Sequence, residues 1–229
     1  MRTHWTVLVA AIAFATFGAQ DAPAQDTDSP RIAVMDFTGF MLGESGNSVN
    51  IGKAVSAMLT TEFTVRDGLE VLERQDISSL LQEQRLGLSG RVDESSAVAI
   101  GKILGVQYVF HGAVVSIANR LRVDIRAIDV ETSEVKSVMK MTDMTTNLLA
   151  VIVNIADAFG DDLDLPPASE RADIQPIPIG ATIAFSRGVD YEDKGEIDNA
   201  IEQYEAALEA HPNHRDAQRA LDRLREGGA

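Results

Sequence analysis

The chain has 229 residues, 45% hydrophobic but only 5% aromatic, with a formal net charge of −15. That length supports one good core plus a smaller module, built mainly from Val, Ile, Leu, Met and Ala. The acidic excess argues against nucleic-acid binding and disfavours an anionic membrane surface, and a chain without cysteine must fold on its core alone.

Arg2, the apolar run Trp5 to Phe17 and the small-x-small site Ala22-Pro23-Ala24 have the layout of a cleavable export signal over residues 1–24. The run is too short to cross ~30 Å of hydrocarbon as a helix. An uncleaved amino-terminal anchor is the other reading. No direct membrane span is expected in the mature chain.

After the polar leader Gln25 to Pro30, Arg31 opens the run IAVMDF, as expected of a buried strand. Phe40 to Asn47 is expected to be a loop and Ser48 a helix cap. Val49 to Val65 then carries Val55, Met58, Leu59 and Phe63 at helical spacing. Leu69 to Leu72 is a short strand that ends at the charged corner Glu73-Arg74-Gln75, where a fixed ion pair or a helix-start contact is expected. Ile77, Leu80, Leu81 and Gln84 mark one face of a second helix closed by Gly87. Ser95 to Leu104 is a third helix, whose Ala97, Ala99 and Gly101 permit close packing on a sheet.

Tyr108 to Ile117, Leu121 to Val130 and Glu134 to Met141 read as three successive strands, the first two joined by Ala118-Asn119-Arg120. Leu148 to Phe159 is a hydrophobic helix ended by Gly160 and the acidic group Asp161, Asp162 and Asp164. Residues 25–164 thus predict an α/β domain, a mixed sheet sandwiched with helices.

Leu165 to Pro178 holds four of the chain's seven prolines, so residues 165–180 read as a linker. Residues 181–229 form a small all-α module. In it Gly188, Tyr191, Gly195, Ala200, Tyr204, Ala207 and Pro212 fall at the offsets of one tetratricopeptide (TPR) repeat. Ala184 and Arg187 depart from that pattern. A single repeat plus the helix Arg215 to Arg225 is expected to pack on the first domain or on a copy of itself. The resemblance implies a concave face lined by Thr182, Phe185, Val189, Glu192 and Asp193, the candidate partner-binding residues. A packed helical hairpin without a ligand is the alternative. Arg215, Arg219 and Arg223 form a basic stripe that is either solvated or docked on an acidic surface of the same protein.

No catalytic, cofactor or metal site is assigned. Gly43 to Ala54 follows a strand and leads into a helix, but Asn47 and Ala54 stand where a phosphate-binding loop needs Gly and a hydroxyl. His111 reads as a half-buried sheet residue, and His211 and His214 as cations at a helix end. Asp161, Asp162 and Asp164 lack the framework of a calcium loop. Gly87-Leu88-Ser89-Gly90 lacks the spacing of a nucleophile turn.

The strand IAVMDFTG, then VLERQDISSLLQEQ, AVAIGKILGVQYVFHGAVV and VDIRAIDVETSEV, in that order, resemble the periplasmic domain of the curli secretion-channel (CsgG-like) family. The resemblance implies a fold similar to the amino-terminal domain of TolB and to the lipoproteins that activate peptidoglycan synthases. Pore-forming members insert hairpins whose spanning strands need about 9–11 alternating residues; neither Ala118-Asn119-Arg120 nor Met144-Thr145 leaves room for them. The expectation is a non-enzymatic periplasmic adaptor or assembly factor without cofactors, whose partners are other cell-envelope proteins or its own copies. A periplasmic collar for an outer-membrane secretion channel and a nucleotide-binding regulator are the alternatives.

Overall fold

The structure is a computed structural model that describes residues 29–42, 48–83, 94–169 and 173–227. The proposed export signal, residues 43–47 of the glycine-containing loop, Gln84 and Gly87 lie outside the described residues.

A mixed sheet is built around β5 (Tyr108–Ile117). One edge of β5 carries β1 (Arg31–Val34) and β2 (Thr38–Leu42), both parallel to it, end to end. The other edge pairs antiparallel with β6 (Arg120–Asp129), which pairs with β7 (Glu134–Met144). The short strands β3 (Ser48–Val49) and β4 (Glu70–Val71) add to β2 and β1. The last three long strands form the expected meander, with a two-residue link in which Ala118 takes a positive φ of 54°.

The first strand departs from expectation. Val34 faces Phe110 and Thr38 faces Ala113, so the chain advances four residues against three on β5. This one-residue bulge splits the run in two and swings Asp36 out of the ladder. Phe40 to Leu42, expected as loop, therefore continue the sheet. Ser48 is not a helix cap but part of β3. The helix starts later, as α1 (Gly52–Thr64), where Asn50 Oδ1 accepts the Gly52 N–H at 2.9 Å. Gly52 itself is a packing residue, since a Cβ there would sit 1.9 Å from the Phe37 carbonyl oxygen.

One face of the sheet is covered by α1 and α4 (Leu148–Asp162), the other, in part, by α2 (Arg74–Glu83) and α3 (Glu94–Leu104). Alternation along β5 separates the layers: Phe110 and Val114 face α1 and α4, Val109 faces α3. Gly101 lets α3 close on the sheet, because a Cβ would lie 2.4 Å from Val130 Cγ2 and 2.7 Å from Val109 Cγ2. Ala97 is buried with it, whereas Ala99 points to solvent. Gly160 does not end α4, which runs on to Asp162. A Cβ on it would stand 2.6 Å from an Arg66 nitrogen, so its missing side chain makes room for that guanidinium.

The proline-rich stretch 165–169 has no helix but is tied down. Arg66 donates to the Pro166 carbonyl and to Asp157, both at 2.8 Å, and the Val65 carbonyl accepts from Ser169 N–H at 2.8 Å. Beyond it, α5 (Ile179–Asp193) and α7 (Arg215–Gly227) pack on α1, and α6 (Ile197–Ala210) packs on α5 and α7. The core is continuous from Phe110 and Phe63 of the sandwich to Phe185, Tyr204 and Leu221 of these helices. None of the described helices is long and apolar enough to cross a membrane.

Candidate functional site

Helices α5 and α6 form an antiparallel hairpin held by one close approach. Gly188 stands over Tyr204, where a Cβ would come within 2.4 Å of the ring. Tyr204 is fully buried and donates its hydroxyl to Glu192 at 2.6 Å. Burial and the neighbouring carboxylate push the phenol far above its usual range. Gly195 makes the tight turn with φ +74°.

The inner face of the hairpin meets the sandwich. Phe185 is buried between Tyr204 and His214, with ring centroids 5.8 and 4.8 Å away. Ser186 donates to the Asn50 carbonyl. At the end of α5, Asp193 accepts from Arg74 at 2.9 Å and from Lys53 at 2.6 Å, and Lys53 also reaches Asp190 at 3.0 Å. Burial works against the Lys53 ammonium, but these two carboxylates outweigh it and raise its pKa. Arg74 also holds Asp36 at 2.8 Å. Burial raises the Asp36 carboxyl, and the Arg74 cation opposes the rise. The charged corner after β4 is thus a fixed ion-pair hub. The Lys53 ammonium, the candidate phosphate ligand of the glycine-containing loop, is committed to carboxylates.

The basic stripe of α7 is docked rather than fully solvated. Arg215 pairs with Glu62 of α1, and Arg223 pairs with Glu192 at 2.7 Å. Glu62 is buried among these contacts; its burial raises the carboxyl's pKa despite Arg215. His214 is a correction to the expected helix-end cation. It lies buried with Asp216 at 4.0 Å, and burial lowers its pKa against that carboxylate's pull.

Between α1, the Glu73-Arg74-Gln75 corner, α5 and α7 a cavity of about 240 Å³ remains. Its walls are chemically mixed. Phe185, Val189 and Tyr204 supply apolar surface; Thr60, Thr61 and Thr64 supply hydroxyls along one side of α1; Arg219 and Arg223 supply cations from α7. Four of the five candidate partner-binding residues, Phe185, Val189, Glu192 and Asp193, line it, while Thr182 is buried away from it. The wall facing them comes from α1 and α2, more than 100 residues earlier in the chain. The four-residue spacing of Arg215, Arg219 and Arg223 signalled only the α7 wall, to which Arg219 and Arg223 contribute. Among the described residues no group of three His, Asp or Glu side chains could hold a metal ion.

The architecture is that of a mixed α/β sandwich with an added helical hairpin. The family model of the curli production assembly/transport component CsgG matches residues 14–120, ending at the first residue of β6. No curated protein sequence matches the chain. Among solved structures, the LpoB C-terminal domain from Salmonella enterica aligns at 17% identity and a TM-score of 0.42, covering 52% of this chain and 86% of that one. TolB from Acinetobacter baumannii aligns at 13% identity and a TM-score of 0.42, covering 61% of this chain but only 29% of TolB. The PelC dodecamer from Paraburkholderia phytofirmans aligns at 12% identity and a TM-score of 0.37, covering 63% of this chain and 94% of that one. Each of these likenesses covers only part of the chain.

Proposed function

We propose that the chain is a non-enzymatic, exported protein of the periplasm that serves as an adaptor or assembly factor by holding another envelope protein. The observation that carries this reading is the cavity between the hairpin and α1. Its mixture of apolar walls, hydroxyls and both signs of charge suits a short segment of a partner protein. Phe185 and Val189 would take an apolar side chain, and Arg219 would meet a carboxylate.

In this reading residues 1–24 are a cleaved signal peptide, 25–164 a CsgG-like domain, 165–180 a linker and 181–229 a TPR-type module. The match of the CsgG family model over residues 14–120 supports the assignment of the sandwich. The Gly188–Tyr204 approach and the Gly195 turn support the repeat.

A photo-crosslinking residue in place of Ala57, which lines the cavity, tests the proposal in cells that express the full chain. The expected result is one discrete adduct with an envelope protein, lost when Arg219 is changed to Glu. Absence of any protein adduct, or saturable nucleotide binding lost in Lys53→Ala, would overturn the adaptor reading.

A further inference from the structure

Among the described residues, half of one sheet face has no helix over it. Helices α2 and α3 cover Ala33, Met35, Val109 and Ile128, but toward the far ends of β2, β5, β6 and β7 no described helix covers the same face. The ladder sets its side chains in rows. Leu42, Ile117, Arg120 and Met144 are consecutive cross-strand partners, and Phe40, Val115, Arg122 and Thr142 form the next row. Phe40, Leu42, Ile117 and Met144 are exposed, Ile117 by 56%. An exposed apolar cluster rimmed by polar groups marks an interaction surface.

Its charge is opposite to that of the chain. Arg120, Arg122, Arg126 and Lys140 point from this face, in a protein of net charge −15; Asp124 stands among them, and Glu94 of α3 meets Arg126 at 3.7 Å. Arg122 is spent on Asp124 at 2.7 Å. Arg120 and Lys140 have no ion pair among the described residues. A surface that is apolar and basic needs an occupant that is apolar and acidic, and the chain itself carries one.

Helix α6 buries Ala200, Tyr204 and Ala207 and turns Asp198, Glu202, Glu205 and Glu209 outward. These four fall at i, i+4, i+7 and i+11, one stripe of a helix. Glu205 pairs with Arg225 at 2.8 Å, but Asp198, Glu202 and Glu209 have no cation partner among the described residues. Ile197 flanks the stripe, exposed. Carboxylates four residues apart rise about 6 Å along a helix, close to the ~7 Å between alternate residues of a strand such as Arg120 and Arg122.

We propose that the uncovered half of the sheet face docks helix α6 of a second copy of this chain. The acidic stripe would lie along the β6 and β7 cations, with Ile197 against the apolar rows. Two different surfaces meet, so the contact is head-to-tail and each copy keeps one face of each kind free for the next. The inference does not depend on the proposed adaptor role.

Sedimentation of the purified full-length exported protein over a concentration series, at low and high salt, tests this. Wild type should self-associate, more weakly by about tenfold or more at high salt. The Arg120→Glu/Lys140→Glu variant and the Glu202→Lys/Glu209→Lys variant should each be monomeric. None of these four residues has an ion pair to lose among the described residues, and circular dichroism checks that both variants fold. The quadruple variant, with both charges exchanged, should self-associate again. A wild type that stays monomeric throughout would overturn the proposal. So would a quadruple variant that stays monomeric while wild type associates. Monomeric wild type bound to phosphatidylglycerol vesicles, and released by Arg120→Glu/Lys140→Glu, would assign the face to a lipid surface instead.

Discussion

Arg74, the first residue of α2, and Asp193, the last of α5, meet at 2.9 Å although 119 residues separate them. The same guanidinium holds Asp36, which the bulge between β1 and β2 has turned outward. One side chain therefore ties the edge of the sheet, the corner after β4 and the carboxy-terminal hairpin. Arg74→Ala leaves two carboxylates facing each other with Lys53 as the cation nearest Asp193. It should lower unfolding free energy by about 1–3 kcal/mol, between the values for exposed and buried pairs. Urea denaturation measures this, and Arg74→Lys should recover only part, because an ammonium lacks the fork that spans both partners.

Gly188 and Tyr204 give a prediction with a reversal of sign. Gly188→Ala would gain up to about 1 kcal/mol of helix propensity. The new Cβ, however, falls 2.4 Å from a fully buried ring, and overpacking costs about 1–3 kcal/mol. The net effect should be destabilising. In a Tyr204→Leu background the clash is gone, and the same substitution should become neutral or stabilising. A double-mutant cycle by thermal unfolding reads the difference.

His214 predicts a loss of stability in mild acid. Burial lowers its pKa in the folded chain, and Asp216 and His211, on either side, partly cancel each other. As pH falls below the usual histidine value of about 6.5, the unfolded chain takes up the proton first. Stability contributed by the neutral ring is thus present at neutral pH and lost as pH falls toward the depressed folded value. His214→Phe keeps the stacking on Phe185 and removes the titration. Its urea midpoint should fall less between pH 7.5 and 5.5 than that of wild type.

Arg66 fastens the proline-rich stretch. Its buried guanidinium donates to the Pro166 carbonyl and to Asp157 and fills the space above Gly160. Arg66→Met should cost about 1–3 kcal/mol, because it leaves the Asp157 carboxylate and a carbonyl without that donor. Limited proteolysis should then nick residues 165–169 faster than in wild type, while the rest of the sandwich stays protected.

Local patterns carried much of the architecture. Partial alternation along Leu121 to Ile128 and the short link Ala118-Asn119-Arg120 pointed to the meander, because a period of two places every second side chain on one face. The small Gly101 announced close packing of α3. The spacing of Gly188 and Tyr204 anticipated the hairpin, because residue size and offset alone decide whether two helices can approach. Other elements had no local signal. The bulge that splits the first strand depends on the register against β5, a partner more than 70 residues away. Gly160 looked like a helix end because nothing nearby reveals the Arg66 guanidinium above it.

The cavity belongs wholly to this second kind. The resemblance to a tetratricopeptide repeat implied Phe185, Val189, Glu192 and Asp193 as part of one face of α5. What stands opposite them depends on how α5 and α7 settle on α1. Burial of Phe185, Ala217 and Leu221 drives that docking; Lys53, Arg74 and Glu62 fix where it stops, because their ion pairs close in one orientation only.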